Sequence, residues 1–187
     1  YFTVDGKGTQ ETDFTESIFE AVGPDKIAVQ EAVTDPEHGQ DFVSDVLTHN
    51  WSDDGKAAST LFQFGDQDAS VQDPNDASDV ATATRTGSIM SAVAESMSTD
   101  DAWKLMSGVP ETDGQSIGQL NPELLQSVAH SMSPYAADLG GADQPDKPGF
   151  DIAGWADPTD NGHLAGSSNV FAALNTDEEA GTEFTKN

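Results

Sequence analysis

The sequence predicts a mainly α-helical fold: an irregular bundle of about seven short-to-medium helices with one long acidic Gly/Pro/Asp-rich loop. Three observations predict it. Apolar residues recur at helical spacing in most segments, those segments open on Asp, Ser, Thr or Asn and close on Gly or Pro, and no βαβ alternation runs through the chain. The expected division is an N-terminal helical part, 1–72, and a C-terminal part, 73–187, holding the loop 142–167, with one continuous domain as the alternative.

The best-specified element is 121–141. Asn121 is a favourable N-cap, Pro122 fits the first turn and Glu123 suits the positive end of the helix dipole. Leu124, Leu125, Val128, Ala129 and Met132 then share one face, Pro134 should kink or break the last turn, and Gly140-Gly141 stops it.

Taken in order, Tyr1, Phe2 and Val4 either pack loosely or form an edge strand. Asp13 and Glu16 read as a capping box opening a helix whose stripe is Phe14, Ile18, Phe19 and Val22, ended by Gly23. Ile27, Val29 and Val33 fit a short helix or a strand, with helix preferred. Asp35-Pro36-Glu37 opens a helix burying Phe42, Val43, Val46 and Leu47, and Ser52-Asp53-Asp54 caps another with Ala57, Ala58, Leu61 and Phe62 inward. Residues 66–76 form a polar, turn-rich loop. Ala77–Met97 is a long helical segment that Gly87 could split, and Thr99-Asp100-Asp101 caps a short helix through Trp103 and Met106. Two last helices, 169–174 and 177–184, turn Val170, Phe171, Leu174 and Phe184 inward. Trp51, Trp103 and Trp155 are evenly spaced, but their neighbours share no hydrophobic pattern, so no repeat is read from them.

Seven Lys and Arg against 34 Asp and Glu give a net charge of -27. There is no basic patch to neutralise phosphates or to dock on an anionic membrane, which argues against nucleic-acid binding and disfavours membrane-surface docking. The acidity suits a basic partner, solubility, or solvation in a high-salt setting. The chain has no cysteine, hence no disulfide, thiolate metal site or thiol nucleophile. No apolar run reaches the length of a membrane span. The start at Tyr1, without a signal-peptide pattern, predicts an internal or C-terminal piece of a longer protein.

Few residues group as chemistry requires. Gly114-Gln115-Ser116-Ile117-Gly118 matches the nucleophile-elbow pattern, and Asp157 and His163 follow in serine-acid-histidine order. That chemistry needs a strand before the serine; Pro110-Glu111-Thr112-Asp113 precedes it, so a glycine-flanked turn is the preferred reading. His38, His49, His130 and His163 stand alone, outside any paired-histidine motif. The acid clusters Asp157–Gly162 and Asp66-Gln67-Asp68 lack the EF-hand pattern, and a calcium-dependent binding module stays as an alternative. No catalytic set, metal site or cofactor is expected. Phe14, Phe19, Phe42, Trp51, Phe62, Phe64, Trp103, Phe171 and Phe184 read as core. In the loop 142–167, Phe150, Ile152 and Trp155 read as anchors and form the candidate partner-binding set, Trp155 foremost.

Three segments carry a family resemblance: His49-Asn50-Trp51-Ser52-Asp53-Asp54-Gly55-Lys56-Ala57-Ala58 through Phe62, Leu120-Asn121-Pro122-Glu123-Leu124 through Ser133-Pro134-Tyr135-Ala136-Ala137-Asp138-Leu139, and Val170 through Asp177. Across residues 40–185 the chain resembles the helical mycobacterial and wider actinobacterial proteins labelled as containing a TPR repeat region. Relatives of that group occur near type VII secretion loci and in the non-toxic portions of polymorphic toxins. The resemblance implies a non-enzymatic scaffold or interaction module, a secretion or toxin component as partner, and a secreted or cell-envelope location. It carries over no active-site residues.

Overall fold

A computed structural model describes residues 9–142, 144–152 and 164–186. The elements in order are α1 (Thr9–Val22), α2 (Lys26–Val33), α3 (Gly39–Thr48), α4 (Lys56–Ser59) continued by a 3-10 turn (Thr60–Phe62), α5 (Ala77–Met97), α6 (Asp100–Ser107), α7 (Ile117–Leu120), α8 (Pro122–Met132) with a 3-10 turn (Ser133–Tyr135), α9 (Ala136–Leu139), α10 (Leu164–Leu174) and α11 (Glu178–Phe184). The fold is mainly helical, with no strand among the described residues. The helices outnumber the expected seven: the one-turn α7 is an addition, and α9 stands apart from α8 across the 3-10 turn that holds Pro134. Pro134 ends α8 as its missing N–H and ring require. The edge-strand alternative for Tyr1, Phe2 and Val4 lies outside the described residues.

Most capping follows the sequence. Asp25, Asp76, Thr99 and Asp177 each accept a backbone N–H in the first turn of the following helix, and Ser116 with Gln119 forms a capping box on α7. Asp35 accepts the N–H groups of Glu37 and His38, and regular helix starts at Gly39. At the end of α9, Gly141 (φ +86°) donates to the Asp138 carbonyl and Ala142 to that of Ala137, the paired bonds of a Schellman stop. Three readings are corrected. The Asp13/Glu16 capping box does not exist, because α1 already begins at Thr9 and Glu16 accepts instead from the Ser52 N–H and hydroxyl at 2.9 and 2.8 Å. The stripe on α1 is also rotated: Phe14 and Val22 are exposed, while Thr15 is buried and Phe19 sets its ring against Phe42 and Trp51. Finally, α10 starts at Leu164, inside the stretch expected to be loop.

The register of α1 is set by its contact with the α4 turn. A Cβ on Gly23 would lie 2.2 Å from the Thr60 hydroxyl oxygen, and that hydroxyl reaches the Phe19 carbonyl at 2.9 Å. Only glycine permits this approach, so packing overrides the apolar stripe.

The core centres on α5, which is buried on nearly every side from Thr86 to Met97. Helices α2 and α3 lie against it, as does α10, while α8 packs between α4 and α11. Val29, Val43, Leu47, Ile89, Val93, Leu125, Met132 and Phe184 all belong to one apolar cluster, so residues on both sides of position 72 share a core.

Gly87 does not split α5, which runs unbroken through it. Its function is close approach: an added Cβ would sit 2.2 Å from the Pro148 carbonyl oxygen and 2.7 Å from the Phe150 nitrogen. Gly149 answers it with φ +89° and a Cβ position 2.2 Å from the Thr84 carbonyl. The segment 148–151 therefore lies directly on the helix backbone. There the Ser91 hydroxyl donates to the Asp151 carbonyl and accepts its N–H, at 2.8 and 3.2 Å.

Asn121 is the second departure. It is 1% exposed, and its side chain does not cap α8. Its amide donates to the carbonyls of Leu47 (3.1 Å) and His49 (2.7 Å), and its oxygen accepts the Trp51 N–H (3.3 Å). The start of α8 is served instead by the Asp54 carbonyl, which accepts the Glu123 N–H.

Two outcomes are expected from urea denaturation. Gly87→Ala gains up to about 1 kcal/mol at an ordinary helix position, but here it costs roughly 1–3 kcal/mol through backbone overlap. Asn121→Ala costs about 1–3 kcal/mol for each buried group it leaves unpaired, and Asn121→Asp, which accepts but cannot donate, does not restore the loss.

Candidate functional site

A polar cleft lies where α8, α11 and the turn after Phe64 meet. Helix α8 carries His130, α11 runs beside it and supplies Glu183, and Lys186 follows α11. The third element is the Gly65–Asp68 turn, closed by the Gly65 N–H donating to the Asp68 carboxylate (2.7 Å) and the Asp68 N–H donating to the Gly65 carbonyl (2.9 Å). This brings Asp66 to the imidazole. The ring Nδ1 is 3.0 Å from Glu183 Oε1, and Nε2 is 3.1 Å from Asp66 Oδ1. Lys186 Nζ bonds the other Glu183 oxygen at 2.5 Å. The cleft encloses a cavity of about 280 Å³, floored by Phe64, Ala69, Thr86 and Pro134.

A neutral imidazole has one N–H and can serve one of these carboxylates; only the protonated ring donates to both. Among the described residues, the serine hydroxyls that flank it are engaged with backbone carbonyls. The Ser131 hydroxyl donates to the Phe62 carbonyl at 2.7 Å and that of Ser133 to the His130 carbonyl at 2.8 Å. The arrangement is a hydrogen-bonded clasp holding the 65–68 turn to α11. Among the described residues no group of three or more His, Asp or Glu side chains is placed to hold a metal ion. In the clasp itself, the two carboxylates sit on opposite ring nitrogens.

The other sequence candidates fall as follows. Ser116 is buried as the cap of the one-turn helix α7, tied to Gln119 on both sides of the capping box, and no strand leads into it. Asp157 and His163, needed by the hydrolase alternative, lie outside the described residues, as do Trp155 and the acid cluster 157–162. Of the acids at 66–68, Asp66 pairs with His130 and Asp68 closes its own turn. Phe150 stacks on Tyr135 with ring centroids 4.5 Å apart and planes 9° off parallel, and Ile152 is buried in the core. Both side chains fasten their segment to the body. The clasp was missed in the sequence because its members lie far apart in the chain and match no spacing motif.

The Lys186 ammonium, and then the His130 ring, hold the Glu183 carboxyl below its ordinary value of 4.5. A carboxyl depressed in the folded state contributes stability that is complete above pH 4.5 and is lost as pH falls through the lowered value. Glu183→Gln should therefore melt lower than the parent at neutral pH, with the two curves converging at strongly acidic pH. Thermal melts across a pH series check this.

Compared with known proteins, residues 3–64 match a family model described as a TPR repeat domain. In the structure that span holds α1 to α4 and the turn after α4, and it overlaps the segments of the sequence resemblance from residue 40 to 64. Short helices of this kind bury their apolar faces only against other elements. Here α2 and α3 bury theirs on α5, and α4 buries its on α8. Neither the curated proteins nor the solved structures gave a match.

Proposed function

We propose that this chain is a non-enzymatic helical interaction module that recruits a protein partner within an actinobacterial type VII secretion or toxin system, at the cell envelope or outside the cell. The observation that carries the reading is the TPR repeat match over 3–64, a class of helical unit suited to protein partners. The secretion or toxin setting rests on the sequence resemblance across 40–185. Charge adds to it: a net -27 favours encounter with basic surfaces and disfavours acidic ones. No helix among the described residues is long and apolar enough to cross a membrane. The clasp around His130 presents no nucleophile, so its geometry offers the enzyme alternative no support.

In this reading Phe150 and Ile152 anchor the loop that carries Trp155, and Trp155 is its contact residue. Affinity capture with the intact chain, at low and moderate salt, followed by mass spectrometry, tests both parts. The expected result is recovery of a secretion component or a toxin, weaker at moderate salt. Trp155→Ala should reduce it by roughly 2 kcal/mol of binding, about 30-fold. An empty capture at both salts overturns the module, and undiminished capture by Trp155→Ala removes the loop from the contact.

A further inference from the structure

The large apolar side chains exposed among the described residues are Phe14 (64%), Val22 (39%) and Ile27 (56%). All three lie on α1 and the first turn of α2. Phe14 and Val22 are joined by half-buried Ile18 into an i, i+4, i+8 stripe, which spans about 12 Å of helix at 1.5 Å per residue. The opposite side of α1 is already occupied, with Phe19 against Phe42 and Trp51 and Glu16 bonded to Ser52. The stripe is thus a second apolar face, left uncovered by the folded body.

The exposed surface of these two helices is acidic. Asp13, Glu20, Asp25 and Glu31 are exposed along α1 and α2. The one cation in the described part of these helices, Lys26, is turned inward: its ammonium donates to the carbonyls of Thr60 (2.6 Å) and Leu61 (3.2 Å) and sits 4.7 Å from the centre of the Phe64 ring. An apolar strip on helices whose exposed charges are acidic, with the local lysine withdrawn, complements a helix that pairs an apolar stripe with Lys and Arg. A second copy of this chain is the wrong occupant, because it would bring the same acidic helices and another charge of -27 to the contact.

We infer that the Phe14–Ile18–Val22 face of α1 is a docking surface for a basic amphipathic helix of a partner protein. The assignment rests on the interaction-module reading and names a surface and a partner chemistry for it. Binding lays the partner's apolar residues along the stripe, and the flanking Lys and Arg fix its position against the acids.

The test uses the intact chain and a fluorescein-labelled designed 18-residue helix with a leucine stripe and lysine flanks, read by anisotropy. Two control peptides replace the leucines by serine or the lysines by glutamate. The lysine-leucine helix should bind, and both controls should bind at least tenfold more weakly. The Phe14→Asp/Val22→Asp chain is more acidic than the parent, so attraction by charge alone predicts equal or tighter binding. Docking on the stripe predicts at least a tenfold loss. Phe14→Ser, at an exposed position, gives the same direction of change should the double variant fail to fold, with melting curves as the check on folding. Equal binding of the serine control, or undiminished binding by both variants, overturns the inference. So does a dimer of the free chain that Phe14→Asp abolishes, or peptide binding that appears only when residues 1–8 are deleted. If the peptide fails while Trp155-dependent capture succeeds, only this surface assignment falls.

Discussion

One buried amide ties the two ends of this bundle together. Asn121 stands at the joint between α7 and α8, and its side chain makes three hydrogen bonds to the end of α3 and the residues after it. The C-terminal carbonyls of a helix have no partner within the helix, and that of Leu47 finds one on a residue 74 positions away. The same bond set fixes Trp51, whose indole N–H then donates back to Val46. Because Trp51 is the surface on which Phe19 and His49 rest, the placement of α1 follows from that amide. Gly55, with φ +81°, completes the joint by letting the start of α4 press on Leu124 and Asn121.

The second constraint is the contact between α5 and segment 148–151. Two glycines, Gly87 on the helix and Gly149 on the segment, remove the side chains that would hold the backbones apart. Residues 148–152 are thereby given a fixed seat, with Phe150 on Tyr135 and Ile152 in the core. In a chain so acidic, seating by backbone contact and apolar anchors has a physical advantage, since it asks nothing of charge pairing. The described Lys residues that pair with acids do so locally, as Lys104 with Asp101 and Lys186 with Glu183, and exposed pairs of this kind add little stability.

The helices themselves were legible because their signals are local. Val43, Val46 and Leu47, or Leu124, Leu125 and Val128, announce a buried face through spacing alone, and Asp25, Thr99 and Asp177 announce starts through cap chemistry. The polar cleft was not legible. His130, Asp66 and Glu183 are placed by three separate elements, and no spacing between them marks the sequence. The stripe on α1 was legible as a stripe, yet its direction was misread. Phe14, Ile18 and Val22 have the periodicity of a core face, and periodicity does not say which of two apolar flanks finds a neighbour.

The sequence by itself determined that this chain is helical, where most helices start and stop, and that its net charge is -27; each follows from interactions within a few residues or from summed charge. Tertiary structure alone decided what the special residues do. Asn121 reads as a cap and serves as a latch, Gly87 reads as a break and serves as a seat, and Phe14 reads as core and stands in solvent. In each case the deciding partner, Leu47, Pro148 or Thr60, lies tens of residues away from the residue or helix it constrains. Local propensity cannot specify such a contact, because it exists only once the helices have packed.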